Sequence, residues 1–160
     1  MRKKKSLFIT FEGIEGSGKS YQIKKLQKNL KKKNISSLLT REPGGTESGE
    51  LIRKIILNGK KNKFSGKTDT LLYLASRNEH IEKKIKSRIK KNKIVICDRF
   101  IDSTKAYQCY GKKVNEGLVD SVHKYILNDI KPDITFLLTV TLKTSFERIK
   151  KRKFKNRYDK

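Results

Sequence analysis

Four short, β-rich apolar runs recur along the chain, at Ser6 to Phe11, Ser36 to Thr40, Lys93 to Cys97 and Ile134 to Val140. Helical periodicity fills the stretches between them, so they read as buried strands of a parallel sheet. Ile23, Leu26 and Leu30 share one side of a 3.6-residue helix, as do Leu51, Ile52, Ile55 and Ile56. Ile81, Ile85 and Ile89 mark the later part of a long helix expected from about Asp69 to Lys90. The class is therefore α/β. Gly44-Gly45 and Lys60 to Gly66 are the clearest loops. The clusters Lys31-Lys32-Lys33 and Lys90-Lys91 close helices, where cations suit the carboxyl end of the helix dipole.

Composition narrows the reading without redirecting it. With 160 residues the chain is expected to form one domain, spanning 1–160. Its 41 basic and 16 acidic residues give a net charge of +25, which would ordinarily suggest a phosphate-rich partner. The lysines, however, are spread over every predicted helix instead of forming one stripe. A solvated lysine surface follows, and no dedicated nucleic-acid partner is expected. Cys97 and Cys109 are too few for a disulfide framework and lack metal spacing, which suits inert thiols in a reducing cytoplasm. The basic start Met1 to Lys5 faintly imitates a signal peptide, but Glu12 interrupts the apolar run behind it. No stretch is long enough to span a membrane, so no membrane partner is expected.

Gly13-Ile14-Glu15-Gly16-Ser17-Gly18-Lys19-Ser20 follows the first strand and opens a helix, and it fits the phosphate-binding pattern G-x-x-x-x-G-K-[ST] in full. The glycines let successive backbone N–H groups face phosphate oxygens. Lys19 can reach the terminal phosphates, and the Ser20 hydroxyl can ligate Mg²⁺. This pattern alone leaves kinase, GTPase and motor ATPase open.

Two further segments, "TREPGGT" (Thr40 to Thr46) and "CDRFIDSTKAYQ" (Cys97 to Gln108), lie at carboxyl ends of strands, where open α/β sheets bind ligands. Asp98 ends an apolar strand, a position from which a carboxylate can hold Mg²⁺ near Ser20, and Arg99 beside it can fork onto a second phosphate. Tyr73 and Arg77, at i and i+4, present an aromatic ring and a guanidinium from one side of a helix. Thr104, Tyr107 and Gln108 share another face. A base pocket would use such residues, although tyrosines at helical spacing more often serve core packing. His80 and His123 read as ordinary surface or helix residues.

Taken in order, "FEGIEGSGKS", "REPGGT", "LASR" and "DRFIDSTKAYQ" resemble the thymidylate kinase family of P-loop nucleoside monophosphate kinases, from about Leu7 to Asp159. The resemblance implies a P-loop NTPase three-layer sandwich with a parallel sheet in the order 2-3-1-4. It implies transfer of the γ-phosphoryl of ATP to dTMP for dTTP biosynthesis, with Mg²⁺ as cofactor and a homodimer as the assembly. By the same analogy Glu15 lies near the deoxyribose 3′-OH, and Arg99, assisted by Arg53, holds the dTMP phosphate. Tyr73 stacks on thymine and Arg77 donates to its O4. Thr104 reads N3, Tyr107 crowds the sugar edge, and Gln108 joins them. One type of the family carries a catalytic arginine in the P-loop, where this chain has Gly16. The other type uses a lid at about 147–160, for which "ERIKKRKFKNR" supplies Arg148, Arg152 and Arg157. A solvated basic helix end is the competing reading of that stretch.

The chain departs from the family at Cys109, where glycine is usual, at Thr139 and Leu142 after the fourth strand, and at Asn156 in the lid. Family members also continue into a fifth strand and further helices. The 160-residue chain is therefore expected to be C-terminally incomplete, with an uncovered edge at Ile134 to Leu138 and marginal stability. A kinase for another pyrimidine monophosphate and an inactive remnant that binds nucleotides or nucleic acid are the rival readings.

Overall fold

The computed structural model describes residues 6–60, 63–91 and 93–151. Strands β1 (Leu7–Glu12), β2 (Ser37–Arg41), β3 (Ile94–Asp98) and β4 (Ile134–Leu137) form one sheet in the order β2-β3-β1-β4. All three pairings are parallel. The register sets Phe11 beside Asp98 and Asp98 beside Arg41, so β1, β2 and β3 finish level with one another. The segments that follow these strands therefore leave from the same edge of the sheet, which is what gathers a site there.

Alternate residues of the central strands point to opposite faces, and both faces are covered. On one face Phe8, Val95 and Cys97 pack with Ile81, Ile85 and Phe100. On the other, Ile9, Phe11 and Ile96 pack with Ile23 of helix α1 (Lys19–Lys32), joined by Leu26 and Leu30. Helices on both faces make the three-layer α/β sandwich that the family resemblance implies. Helix α2 (Glu47–Leu57) starts where the Thr46 side chain accepts from the Gly49 N–H, and α3 (Gly66–His80) starts where Ser65 accepts from Thr68. Such caps satisfy donors that the first helical turn leaves open. The long helix continues from α3 through a π-helical stretch, Ile81–Ile85, into α4 (Lys86–Lys90). Beyond β3, α5 (Ile101–Thr104) runs into a second π-helical stretch at Lys105–Tyr110, and α6 (Glu116–Leu127) and α7 (Leu142–Lys150) complete the helices among the described residues.

Three expectations need correction. β4 is exposed at every residue and ends at Leu137, short of Val140, because only β1 pairs with it among the described strands. Phe136 still finds Phe11, with ring centroids 5.0 Å apart. In α2, Leu51 and Ile55 are 57% and 45% exposed, and of the four predicted positions only Ile56 is fully buried. His80 and His123 are buried, at 0% and 4% exposure, and belong to a polar network described below. Both cysteines are free and buried, as expected of inert thiols, and burial pushes the Cys97 thiol well above its ordinary pKa. Among the described residues no helix is long and apolar enough to cross a membrane.

Candidate active site

The level ends of β1, β2 and β3 open into a cleft of about 1300 Å³. Glu15 to Ser20, Arg41 to Pro43, Arg53, Tyr73, Arg77 and Arg99 line it. Thr104, Tyr107, Gln108 and Arg148 also reach it. Every predicted site residue within the described segments borders the cleft except Gly13 and Ile14, whose carbonyls face inward to Lys19. Arg152 and Arg157 lie outside the described residues.

The loop between β1 and α1 owes its shape to glycine. Gly13, Gly16 and Gly18 have φ of 137°, 75° and 96°, in the region that a Cβ disfavours. At Gly13 a side chain would also run into the Leu138 carbonyl. Lys19 Nζ donates to the carbonyls of Gly13 (2.9 Å) and Ile14 (3.0 Å), which folds its stem back over the loop. Burial, aided by Arg99, lowers its pKa, whereas Asp98, Glu15 and Glu12 oppose that shift. Ser20 Oγ donates to Asp98 Oδ2 at 3.2 Å, and Asp98 Oδ1 is buried without a hydrogen-bond partner. A hydroxyl and a carboxylate oxygen aimed at each other beside a phosphate loop suit Mg²⁺, which takes few protein oxygens and completes its shell with phosphates and water. Among the described residues no cluster of three or more His, Cys, Asp or Glu offers a metal cage.

Arg99 ties the glycine loop to the start of α5. Its Nη2 donates to Glu15 Oε1 at 2.7 Å, its Nη1 donates to Ser103 Oγ at 3.0 Å, and the guanidinium lies 5.2 Å from the centre of the Tyr107 ring. From α7, Arg148 Nη1 donates to the Gly16 carbonyl (2.7 Å) and Ser145 Oγ to the Glu15 carbonyl (2.6 Å), so this helix sits directly on the glycine loop.

The deepest polar structure surrounds Arg77. Its Nε donates to Glu42 Oε2 (2.7 Å), its Nη2 to the Phe100 carbonyl (2.8 Å), and its Nη1 meets His123 Nε2 at 2.6 Å. An arginine keeps its protons, so His123 Nε2 must be the acceptor and its ring proton sits on Nδ1, which is buried without a partner. Burial and the neighbouring Arg77 charge push His123 down to about 4. Glu42 also accepts from His80 Nδ1 at 3.0 Å, and His80 Nε2 reaches Thr40 Oγ1 at 2.6 Å. Burial would raise the Glu42 carboxyl, but Arg77 and His80 outweigh it and hold the group below its ordinary value.

The family model described as thymidylate kinase matches residues 11–160. The chain belongs to the thymidylate kinase family. The thymidylate kinase of Mycoplasma capricolum is 43% identical over 156 residues, which cover 96% of this chain and 73% of that protein. The thymidylate kinase of Halothermothrix orenii is 44% identical over 144 residues, covering 90% and 69%. A crystal structure of thymidylate kinase from Ehrlichia chaffeensis superposes with a TM-score of 0.80 at 41% identity, covering 90% of this chain and 82% of that one.

Within this thymidylate kinase fold, Glu42, His80 and His123 were not singled out as site residues from sequence. Glu42 stands inside "REPGGT", so its motif was visible while its partners were not. His123 carried no signal at all, since nothing near it in the chain points toward Arg77.

Proposed function

We propose that the protein transfers the γ-phosphoryl group of ATP to dTMP by direct in-line displacement, giving dTDP and ADP. The observation that carries this reading is that Lys19 of the glycine loop and Arg99 of the "DRF" turn border one cleft, with Arg99 bonded to Glu15 of the same loop. The acceptor is a phosphate monoester oxygen, largely anionic at neutral pH, so no general base is required. What the reaction demands is that two polyanions be held in line while charge is redistributed.

The roles follow from position. Backbone N–H groups from Gly13 to Ser20 and the Lys19 ammonium hold the ATP phosphates. Ser20 and Asp98 would hold Mg²⁺, which when bound supplies neutralisation of the phosphate oxygens. Arg99, with Arg53 beyond it, meets the dTMP phosphate, and Glu15 lies at the sugar. Tyr73 stacks on thymine, Arg77 offers a remaining N–H to its O4, Thr104 and Gln108 face the base edge, and Tyr107 guards against a 2′-hydroxyl. Arg148 follows the moving phosphoryl group from α7, with Arg152 and Arg157 as further lid arginines. Free thiols suit a reducing cytoplasm. Leu51 and Ile55 on α2 and Leu71 on α3, all exposed, suit a homodimer contact.

A coupled assay with ATP and dTMP, dUMP, CMP or AMP tests the reading. Turnover is expected with dTMP in preference to the others. Lys19→Ala is expected to lower it by about 100- to 1000-fold, the usual loss when one group stabilising developing charge is removed. Preference for CMP or AMP, or full turnover in Lys19→Ala, would overturn it.

A further inference from the structure

Arg99 has φ of 71°, in the left-handed region that residues with a Cβ seldom occupy. Such a conformation persists only where the surroundings over-determine it. The turn matters because Arg99 is the last residue but one before α5, so its backbone decides where the guanidinium points. Its own N–H donates to the Phe11 carbonyl at 3.0 Å. The next residue, Phe100, is the N-cap of α5 and has no side-chain oxygen with which to cap it.

Glu12, the last residue of β1, braces this turn through the Phe100 N–H and the Ser103 hydroxyl instead. Its Oε1 accepts from the Phe100 N–H at 2.6 Å and its Oε2 accepts from the Ser103 hydroxyl at 2.5 Å. Ser103 Oγ in turn accepts from Arg99 Nη1 at 3.0 Å. The carboxylate is 3% exposed, both its oxygens are engaged, and it does not border the cleft. Burial raises its pKa, opposed by Ser103, Phe100 and Arg99, so an acid is retained here against a desolvation cost that an apolar residue would not incur.

We propose that Glu12 is a positioning residue: a buried carboxylate on β1 that ties down the Phe100 N–H and the Ser103 hydroxyl at the start of α5 and thereby holds Arg99 in its left-handed turn, aimed at the acceptor phosphate. The proposal rests on the reading that Arg99 meets the dTMP phosphate. Glu12 grips Arg99 at both ends, the backbone through Phe100 and the guanidinium through Ser103. A carboxylate with both oxygens occupied inside the protein takes no proton from substrate and ligates no metal, so positioning is the role left to it.

The test is a double-mutant cycle on the full chain. Glu12→Gln keeps the volume and one acceptor but replaces the oxygen that receives the Ser103 proton with an amide donor. The expected result is a fall in kcat/KM for dTMP of about 10- to 100-fold, the scale of a misplaced reacting group, with KM for ATP unchanged. In an Arg99→Ala background the same substitution is expected to cost nothing further, because its effect passes through Arg99. Losses that multiply in that background, or KM values for ATP and dTMP that rise together, would overturn the proposal. Thermal melts monitor folding. If Glu12→Gln does not fold, Ser103→Ala breaks the same link from outside the core and is carried through the same cycle, with the same outcomes deciding. An Arg99→Ala variant with unchanged kcat/KM for dTMP would instead sink the phosphate reading, and the positioning role with it.

Discussion

The two sides of the cleft are built on different physical plans. On the side assigned to dTMP, Glu42, Arg77, His80 and His123 are all buried and bonded to one another, so the geometry is closed by the protein's own groups. On the side assigned to ATP, Ser20 and Arg148 are exposed, and the shape comes from backbone turned by glycines. A buried network of charge-assisted hydrogen bonds is rigid, whereas hydrated side chains can be re-aimed by an arriving ligand. The same kind of substitution should therefore register as lost stability on the first side and as lost turnover on the second.

Arg77→Ala is the strongest way to break this contrast. It leaves the Glu42 carboxylate buried without its main counter-charge, a change that costs about 3–5 kcal/mol when one partner of a buried pair is removed. It also takes away the donor assigned to thymine O4, so KM for dTMP should rise while KM for ATP holds. Urea unfolding and initial-rate kinetics check both. A stability change within about 0.5 kcal/mol, typical of surface substitutions, would show that the network is not the scaffold of this side.

What could be read from sequence follows the same division. Gly13 to Ser20 is contiguous, so its phosphate-binding logic is complete within one segment. Asp98 and Arg99 were also legible, because a polar pair ending an apolar strand must emerge at the strand's carboxyl end. The Arg77 network was not, because its bonds to Glu42 and His123 span 35 and 46 positions. No periodicity encodes such pairings, and a buried histidine has the same spacing as an exposed one. Likewise the apolar run at β4 and the stripe through Leu51 and Ile55 announce surfaces that want cover, but not which element covers them. The π-helical stretches at Ile81–Ile85 and Lys105–Tyr110 were hidden because one widened turn leaves the apolar pattern almost intact.

A smaller effect sharpens the comparison through pH. His123 is held at about 4 in the folded chain against an ordinary 6.5. Between those values the unfolded chain binds more protons, so stability rises with pH and is lost as pH falls through this window. The expected loss between about pH 7 and about pH 5 is about 2 kcal/mol. Burial and Arg77 lower the group, while Asp120 and Glu42 nearby work against them and Lys105 adds to the lowering. Glu42, itself held low, adds a loss of the same sign only in more acid solution, and Glu12, held high, acts with the opposite sign. Urea unfolding of the wild type and His123→Asn at both pH values isolates the ring. Equal pH dependence in the two proteins would mean that the imidazole is not the neutral acceptor of Arg77.

The smallest effect on folding is expected at Arg148, and it is the most direct test of the ATP side. The guanidinium is exposed and makes its hydrogen bond to the Gly16 carbonyl, so its removal uncovers no buried charge. Unfolding free energy should stay within about 0.5 kcal/mol of the wild type. Gly16 lies in the loop assigned to the ATP phosphates, however, and a cation held there gains most when negative charge moves during transfer. Arg148→Ala should therefore lower kcat by about tenfold, equivalent to about 1.4 kcal/mol and within reach of one hydrogen bond to a charged group, with little change in ATP affinity. Arg148→Lys separates the two components, since lysine keeps the charge but loses the planar fork. Recovery of kcat by lysine would assign the effect to charge over the glycine loop, and no recovery would assign it to the geometry of the Gly16 contact. A large loss of stability with unchanged kcat would reverse the comparison, making α7 a structural clamp and the ATP side as closed as the other.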